Sequence, residues 1–185
     1  PEEIMAYLEK RKGLIDGVCI SGGEPMLQDT LEFMKRIKKM GYLVKLDTNG
    51  SRPEKLQEYV ESGVIDYVAM DIKNSKEKYA ETVGMDAESF SIENIEKSVD
   101  FLKKGTVDYE FRTTVVRELH TKEDLIALAK WIAPTKKYYL QQFMDSGNLI
   151  QESCYTAYNA EEMNELRDAV RKIIPDAQCR GLKEN

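Results

Sequence analysis

Short apolar runs alternate with helix-spaced segments along the whole chain. The segments between the runs carry apolar residues every three or four positions, and glycine or proline closes many of them. The runs are predicted as strands over 18–20, 42–46, 65–70, 107–116, 137–143 and 177–179. Strands alternating with helices form right-handed βαβ units. This pattern predicts an α/β fold with a parallel sheet, either doubly wound or a complete or partial (βα) barrel.

The helix boundaries are predicted from capping residues. Thr121 with Asp124, and Asn159 with Glu162, have the spacing of capping boxes. The other helices are expected to begin near Pro1, Gln28, Pro53, Lys78 and Ser91. Residues 144–158 are predicted as a long polar loop, and residues 1–185 as a single domain.

The overall charge restricts the kinds of partner. With 27 basic and 33 acidic residues the net charge is −6, and the pI is about 5.1. A broad cationic surface for nucleic acid or anionic lipid is therefore not expected. No apolar run reaches the roughly 18–20 residues that span a bilayer, so we predict a cytoplasmic protein.

The cysteines and the single histidine do not form a motif. Cys19, Cys154 and Cys179 are far apart, without the C-x-x-C spacing of a local metal site. We expect Cys19 in the core and His120, which precedes a helix cap, at the surface. The glycine pair at 22–23 has neither the G-x-G-x-x-G nor the G-K-[ST] pattern of nucleotide sites.

Polar residues collect where the predicted strands end. In parallel α/β folds these ends meet at one face, which holds the working residues. Such a cup would suit a small zwitterionic ligand carrying a sugar, since acids bind ammonium, bases bind carboxylate and amides bind hydroxyls. The polar ends are Ser21-Gly22-Gly23-Glu24-Pro25, Asp47-Thr48-Asn49-Gly50, Asp71-Ile72-Lys73, Arg112-Thr113-Thr114 and Gln141-Gln142.

Each polar strand end also has a purely structural interpretation. The glycine pair is compatible with a tight turn, and 47–50 with an Asx turn. Asp71 and Lys73 are compatible with an exposed ion pair, Arg112 with an edge residue and Gln141 with polar surface. The coincidence of all five at strand ends favours a site.

The Gly22-Gly23-Glu24-Pro25 segment resembles the GGEP motif of the radical S-adenosylmethionine superfamily. The resemblance covers most of the chain and is greatest to activating enzymes of glycyl-radical enzymes. Within these it is most like the activating protein of anaerobic ribonucleoside-triphosphate reductase, with pyruvate formate-lyase activase a close relative. The further matching segments are Leu46-Asp47-Thr48-Asn49-Gly50, Met70-Asp71-Ile72-Lys73, Phe111-Arg112-Thr113-Thr114-Val115-Val116 and Tyr139-Leu140-Gln141-Gln142-Phe143.

This resemblance implies a partial (βα) barrel that binds S-adenosylmethionine. The backbone of Gly22, Gly23 and Glu24 would hold the ammonium group, because glycine lets main-chain carbonyls approach closely. The other cofactor-binding residues implied are Asp47, Asp71 and Lys73 at the methionine end, Arg112 and Gln141 near the carboxylate or ribose, and Asn49. A monovalent cation at Asp47, Thr48 and Asp71 is also compatible with it.

The family chemistry implied by the resemblance is one-electron reduction of the sulfonium by a [4Fe–4S] cluster. The resulting 5′-deoxyadenosyl radical removes a glycine Cα hydrogen from the partner. The implied partners are a glycyl-radical enzyme, the large subunit of anaerobic ribonucleotide reductase, and a reducing flavodoxin or ferredoxin. Alternatives are a pyruvate formate-lyase-type activase, a radical enzyme acting on a small molecule, and a non-catalytic module that binds cofactor or partner.

The sequence departs from the family pattern at the cluster. The C-x-x-x-C-x-x-C loop is absent, and Cys19, Cys154 and Cys179 do not replace it. We expect that loop and its strand upstream of Pro1, since the chain begins without Met inside a predicted helix. The chain as given is then expected to lack cluster ligands and activity, and to self-associate through an open barrel seam.

Overall fold

The computed structural model describes residues 2–86, 88–144 and 155–182. Strands and helices alternate along these residues, so the predicted α/β class is confirmed. The strands are β1 (Gly17–Ile20), β2 (Leu43–Thr48), β3 (Tyr67–Asp71), β4 (Asp108–Val115), β5 (Tyr138–Gln142) and β6 (Gln178–Arg180). The helices are α1 (Glu2–Lys10), α2 (Leu31–Lys39), α3 (Pro53–Glu61), α4 (Tyr79–Thr82), α5 (Glu93–Lys103), α6 (Lys122–Ile132) and α7 (Ala160–Arg171), with a 3₁₀ helix at Pro25–Leu27.

The chain divides into two compact units. The first unit comprises Pro1–Met70 and Glu93–Tyr109, and the second comprises Asp71–Ile92 and Glu110–Asn185. Each unit therefore takes two separate stretches of the chain. The prediction of a single domain stays a prediction.

The first unit is built on parallel pairing of β1 with β2 and of β2 with β3. Along β2 the side chains alternate, with Val44, Leu46 and Thr48 buried and Lys45 and Asp47 only partly so. This is the two-residue period of a strand with one face on a core. Helix α2 packs on β2, and α3 packs on α5. Lys45 and Asp47 therefore share the face of β2 that is opposite its buried side chains.

The second unit is built on parallel pairing of β4 with β5 and of β5 with β6. Phe111, Thr113 and Val115 of β4 are buried, whereas Arg112 between them is only partly buried. Helix α7 packs on α6 and on both β5 and β6. The buried face of β4 thus fixes the direction in which Arg112 extends.

Both predicted capping boxes are confirmed in the second unit. Thr121 accepts from the Asp124 backbone N–H while the Asp124 carboxylate accepts from the Thr121 N–H, and Asn159 with Glu162 does the same. Such reciprocal bonds satisfy donors that have no partner within the helix.

Two burial predictions were wrong. Cys19 is exposed, because β1 alternates and Cys19 shares its exposed face with Gly17. His120 is buried, with 1% of its surface exposed, because both ring nitrogens find main-chain partners at Val116 and Lys73. Neither partner is visible in the sequence around His120.

Helix α2 begins at Leu31 rather than at the predicted Gln28. The Tyr59 hydroxyl of α3 accepts from the backbone N–H groups of Thr30 and Leu31, each at 3.1 Å. A distant tyrosine therefore caps this helix, which local pattern does not reveal.

Part of the predicted 144–158 loop, with Cys154, lies outside the described residues. Within the described ranges, no helix combines the length and apolar character needed to cross a membrane.

Candidate functional site

The turn after β1 exposes main chain instead of side chains. Gly22 has φ of 101° and Gly23 has φ of 60°, which L side chains rarely adopt. A Cβ added at either residue would meet no atom within 4 Å, so the space beside this backbone is open. The peptide groups of this loop are therefore accessible, and the predicted contact of Gly22 and Gly23 with a cofactor stays a prediction.

The carboxylate of Glu24 faces inward and binds its own protein. It accepts from the Met26 N–H at 3.0 Å, from the Thr48 hydroxyl at 2.9 Å and from the Asn49 N–H at 2.6 Å. Glu24 is only 9% exposed. Its side chain therefore ties the glycine loop to the end of β2, and only its backbone is left for the predicted cofactor contact.

The residues after β2 form the turn that was one alternative interpretation. The Asn49 side-chain oxygen accepts from the Ser51 N–H at 2.9 Å, and the Thr48 hydroxyl accepts from the Gly50 N–H at 3.1 Å. The Thr48 hydroxyl therefore has two partners: it donates to the Glu24 carboxylate and accepts from the Gly50 N–H. The cation predicted at Asp47, Thr48 and Asp71 stays a prediction.

Asp47 lies on the polar face of β2. Its carboxylate is 2.7 Å from the Lys45 ammonium and accepts a longer bond of 3.4 Å from the Ser21 hydroxyl. The Lys45 ammonium also lies 4.0 Å from the Cys19 sulfur. Through the bonds of Ser21 to Asp47 and of Asn49 to Glu24, the loop after β1 is joined to the end of β2.

In the second unit, Asp71 is bound by two basic side chains. The Arg112 Nε lies 2.5 Å from one carboxylate oxygen and the Lys73 Nζ lies 3.1 Å from the other. Side-chain exposure is 30% for Asp71, 15% for Arg112 and 41% for Lys73. The ion-pair interpretation of Asp71 and Lys73 is therefore correct but incomplete, because Arg112 joins them.

These three side chains have one net positive charge. Within this cluster, Arg112 and Lys73 each pair with a different oxygen of the same carboxylate. Two hydrogen bonds hold the main chain beside these side chains. The Ile72 N–H donates to the Arg112 carbonyl at 2.9 Å, and the Thr113 hydroxyl donates to the Ile72 carbonyl at 2.7 Å.

Gln141 lies on β5 in register with Thr114 of β4 and Arg180 of β6. Its neighbour Gln142 has a structural contact, donating to the Tyr158 carbonyl at 2.7 Å. Successive residues of a strand point to opposite faces, so the two glutamines are separated.

Sequence reasoning missed Arg180 and Glu110. The Arg180 guanidinium forms a pair of hydrogen bonds of 2.6 and 2.9 Å with the buried Glu110 carboxylate and lies over the Tyr139 ring. Residues 110 and 112 lie on the same face of β4. This two-residue period was the one sequence signal that could have placed Glu110 beside Arg112.

The described residues do not fit a [4Fe–4S] cluster. Within 2–86, 88–144 and 155–182, no three His, Cys, Asp or Glu residues are arranged to hold a metal ion. Neither Cys19 nor Cys179 forms a disulfide. No step through a cluster is therefore derived for this chain. Within the first unit, the open backbone at Gly22–Gly23 fits an ammonium group such as that of S-adenosylmethionine.

Comparisons with known proteins agree with this geometry. The family model of the radical SAM superfamily matches residues 1–132. A protein of Methanocaldococcus jannaschii, named by inference as a glycyl-radical enzyme activating enzyme, is 37% identical over 171 residues, 90% of this chain and 71% of the relative. The 7-carboxy-7-deazaguanine synthase of Thermococcus kodakarensis is 28% identical over 74% of this chain and 50% of that enzyme.

A solved structure has the same fold. It is a domain of pyruvate-formate lyase-activating enzyme from Bacteroides vulgatus, with a TM-score of 0.67 and 16% identity, covering 90% of this chain and 100% of that domain. The chain belongs to the radical SAM superfamily. Its α/β architecture is that of the partial barrels of this superfamily.

Proposed function

We propose that this chain is the S-adenosylmethionine-binding body of a glycyl-radical enzyme activating enzyme. The observation that carries the proposal is the open main chain at Gly22 and Gly23 of the first unit, in a chain that belongs to the radical SAM superfamily. Main-chain carbonyls there can accept from the ammonium group of S-adenosylmethionine.

Each unit has its own part in this proposal. In the first unit, carbonyls of Gly22, Gly23 and Glu24 accept from the ammonium group, and Asp47 adds negative charge. In the second unit, Lys73 and Arg112 bind the carboxylate, with Asp71 holding both side chains in place. Also in the second unit, the Gln141 amide contacts the carboxylate or ribose, and in the first unit Asn49 is a further cofactor contact.

The chemistry that this cofactor supplies in the family is reductive cleavage at the sulfonium. The side chains described here bind and orient the cofactor, and the proposal places the cysteines for the cluster outside the described residues. An electron donor of the flavodoxin or ferredoxin class would complete the system.

We further propose that the partner is the large subunit of anaerobic ribonucleotide reductase. The support is the resemblance of two segments to its activating protein, Thr113-Thr114-Val115-Val116 and Leu140-Gln141-Gln142-Phe143. The 37% identity to the Methanocaldococcus jannaschii relative supports a glycyl-radical enzyme as the partner. Pyruvate formate-lyase is the alternative glycyl-radical partner.

A small-molecule substrate is the second candidate function. The 28% identity to a 7-carboxy-7-deazaguanine synthase favours it. A module that binds S-adenosylmethionine without catalysis is a third, because the described residues provide no ligand set for a cluster.

Two measurements test these proposals. Calorimetry with S-adenosylmethionine tests binding by this chain, and absence of binding by a folded sample would contradict the central proposal. Electron paramagnetic resonance then tests catalysis, using a form extended upstream of Pro1 and reconstituted with iron and sulfide. A radical on a glycine of the reductase supports activation. Cofactor cleavage without that radical favours the small-molecule enzyme, and no cleavage favours the binding module.

A further inference from the structure

His120 is enclosed by main-chain groups on both sides of its ring. Its Nε2 lies 2.7 Å from the Lys73 carbonyl oxygen, and its Nδ1 lies 3.1 Å from the Val116 backbone nitrogen and 3.2 Å from the Val116 carbonyl oxygen. In a neutral ring one nitrogen donates and the other accepts. The shorter carbonyl contact, to Lys73, assigns the proton to Nε2, and Nδ1 then accepts from the Val116 N–H. Burial lowers the pKa of His120, although the contacts with Lys73 and Val116 oppose this. The buried ring is therefore neutral, with the proton on Nε2.

The backbone of His120 is held as firmly as its ring. Its N–H donates to the Val116 carbonyl at 2.9 Å, closing the turn after β4. The Tyr158 hydroxyl donates to the His120 carbonyl at 2.7 Å. His120 thus has a fixed position from which its ring can hold another segment.

That other segment is the main chain that follows Asp71. The Thr113 hydroxyl holds the Ile72 carbonyl, His120 holds the Lys73 carbonyl, and the Asn74 amide donates to the Leu119 carbonyl at 2.8 Å. Three consecutive residues are therefore each tied to the β4 region. Only Lys73 among them carries a charged side chain, and that side chain reaches Asp71.

We propose that His120 is a positioning residue that fixes the Lys73 backbone and thereby the Lys73 ammonium beside Asp71. Its effect on ligand affinity rests on the proposed function, in which Lys73 binds the carboxylate of S-adenosylmethionine. His120 does not itself contact the ligand. It removes the freedom of the segment that carries Lys73, so less conformational entropy is lost when the ligand binds.

Two substitutions of His120 distinguish the contact with Val116 from the contact with Lys73. Asparagine in His120→Asn reaches Val116 but is too short for the Lys73 carbonyl. Glutamine in His120→Gln places an amide donor near the former Nε2 and restores that bond. Tyr42→Phe is the matched control, because it removes another buried side-chain bond to a carbonyl, 2.6 Å to Leu8 in the first unit.

The first test uses nuclear magnetic resonance without ligand. His120 is the single histidine of the sequence, so its ring signals are unambiguous. We expect the Nε2–H tautomer in the wild type. The amide signals of Lys73 and Asn74 should move in His120→Asn, return toward wild type in His120→Gln and stay unchanged in Tyr42→Phe. A proton on Nδ1 in the wild type, or unmoved amide signals in His120→Asn, would overturn the proposal.

The second test is S-adenosylmethionine affinity by calorimetry. We expect His120→Asn to bind about tenfold more weakly, and His120→Gln and Tyr42→Phe to bind within about twofold of wild type. Equal weakening in His120→Asn and His120→Gln would assign His120 a packing role only and overturn the proposal. If the wild type does not bind, the proposed function fails, and the amide signals still decide whether His120 positions Lys73.

Discussion

Glu24 in the first unit and Asp71 in the second are carboxylates beside strand ends, yet their surroundings differ. Glu24 is 9% exposed and binds neutral donors of Met26, Thr48 and Asn49. Asp71 has 30% of its side chain exposed and binds the cations of Arg112 and Lys73. A buried carboxylate that accepts from neutral donors, such as Glu24, stabilises a loop. A carboxylate paired with two partly exposed cations, such as Asp71, positions side chains that a ligand can contact.

The two clusters also offer different kinds of recognition. The first presents main-chain carbonyls at Gly22 and Gly23, whose positions are set by the loop. The second presents ends of flexible side chains, whose positions must be set by neighbours. Substitutions should therefore alter stability most in the first unit and ligand affinity most in the second.

The largest effect is expected for Glu24→Ala. Three donors then lose a charged acceptor, and two of its bonds are buried, so the free energy of unfolding should fall by about 3 kcal/mol. For a chain of this length that lowers Tm by about 10 °C. Glu24→Gln, which retains one acceptor oxygen, should lose about half as much. Thermal unfolding measures both, and a Glu24→Ala Tm equal to wild type would show that the carboxylate does not hold the loop.

Asp71→Asn should change ligand affinity more than stability. Stability should change by less than about 1 kcal/mol, because the ion pairs are partly exposed. S-adenosylmethionine affinity should fall about tenfold, since Arg112 and Lys73 lose the charge that keeps them together. Calorimetry measures the affinity. Asp168→Asn, which removes an exposed partner of Arg167, is the control, and equal affinities for all three proteins would remove Asp71 from the site.

Much of the fold could be predicted because its signals are local. The alternation of strands and helices follows from apolar spacing, and the boxes at Thr121 and Asn159 follow from residues three apart. The polar residues at strand ends were also visible, because parallel strands end at one edge. These features need no knowledge of which segments meet.

What escaped prediction depends on contacts distant in sequence. His120 is buried because Lys73, 47 residues away, accepts from its ring. Helix α2 begins late because Tyr59 caps it. Cys19 lies in an apolar run but on the exposed face of β1, a distinction that three residues do not carry. The inward direction of the Glu24 carboxylate also depends on contacts distant in sequence, with Thr48 and Asn49.

Gly22→Ala tests whether the glycine loop acts through its backbone. With φ of 101°, alanine is strained although its Cβ has space, which costs about 1–2 kcal/mol. A shifted loop should also weaken S-adenosylmethionine binding. Gly84→Ala is the matched control, with φ of 70° and open space but no place in the site. Similar stability losses with weaker binding only in Gly22→Ala are expected, whereas equal affinities would mean that the loop does not bind the ligand.

The smallest effect is a pH dependence in the second unit. Burial holds the pKa of His120 below its ordinary 6.5, while Asp124 nearby raises it and Lys78 lowers it. The unfolded chain therefore binds a proton more readily than the folded one. Stability from the neutral ring is complete above pH 6.5 and is lost as pH falls from there through the lowered pKa. Urea unfolding near pH 7.5 and 5.5 should show this loss in the wild type and a smaller loss in His120→Asn. Parallel losses in the two proteins would mean that the pKa of His120 is the same in the folded and unfolded chains, and folding would then not favour the neutral ring.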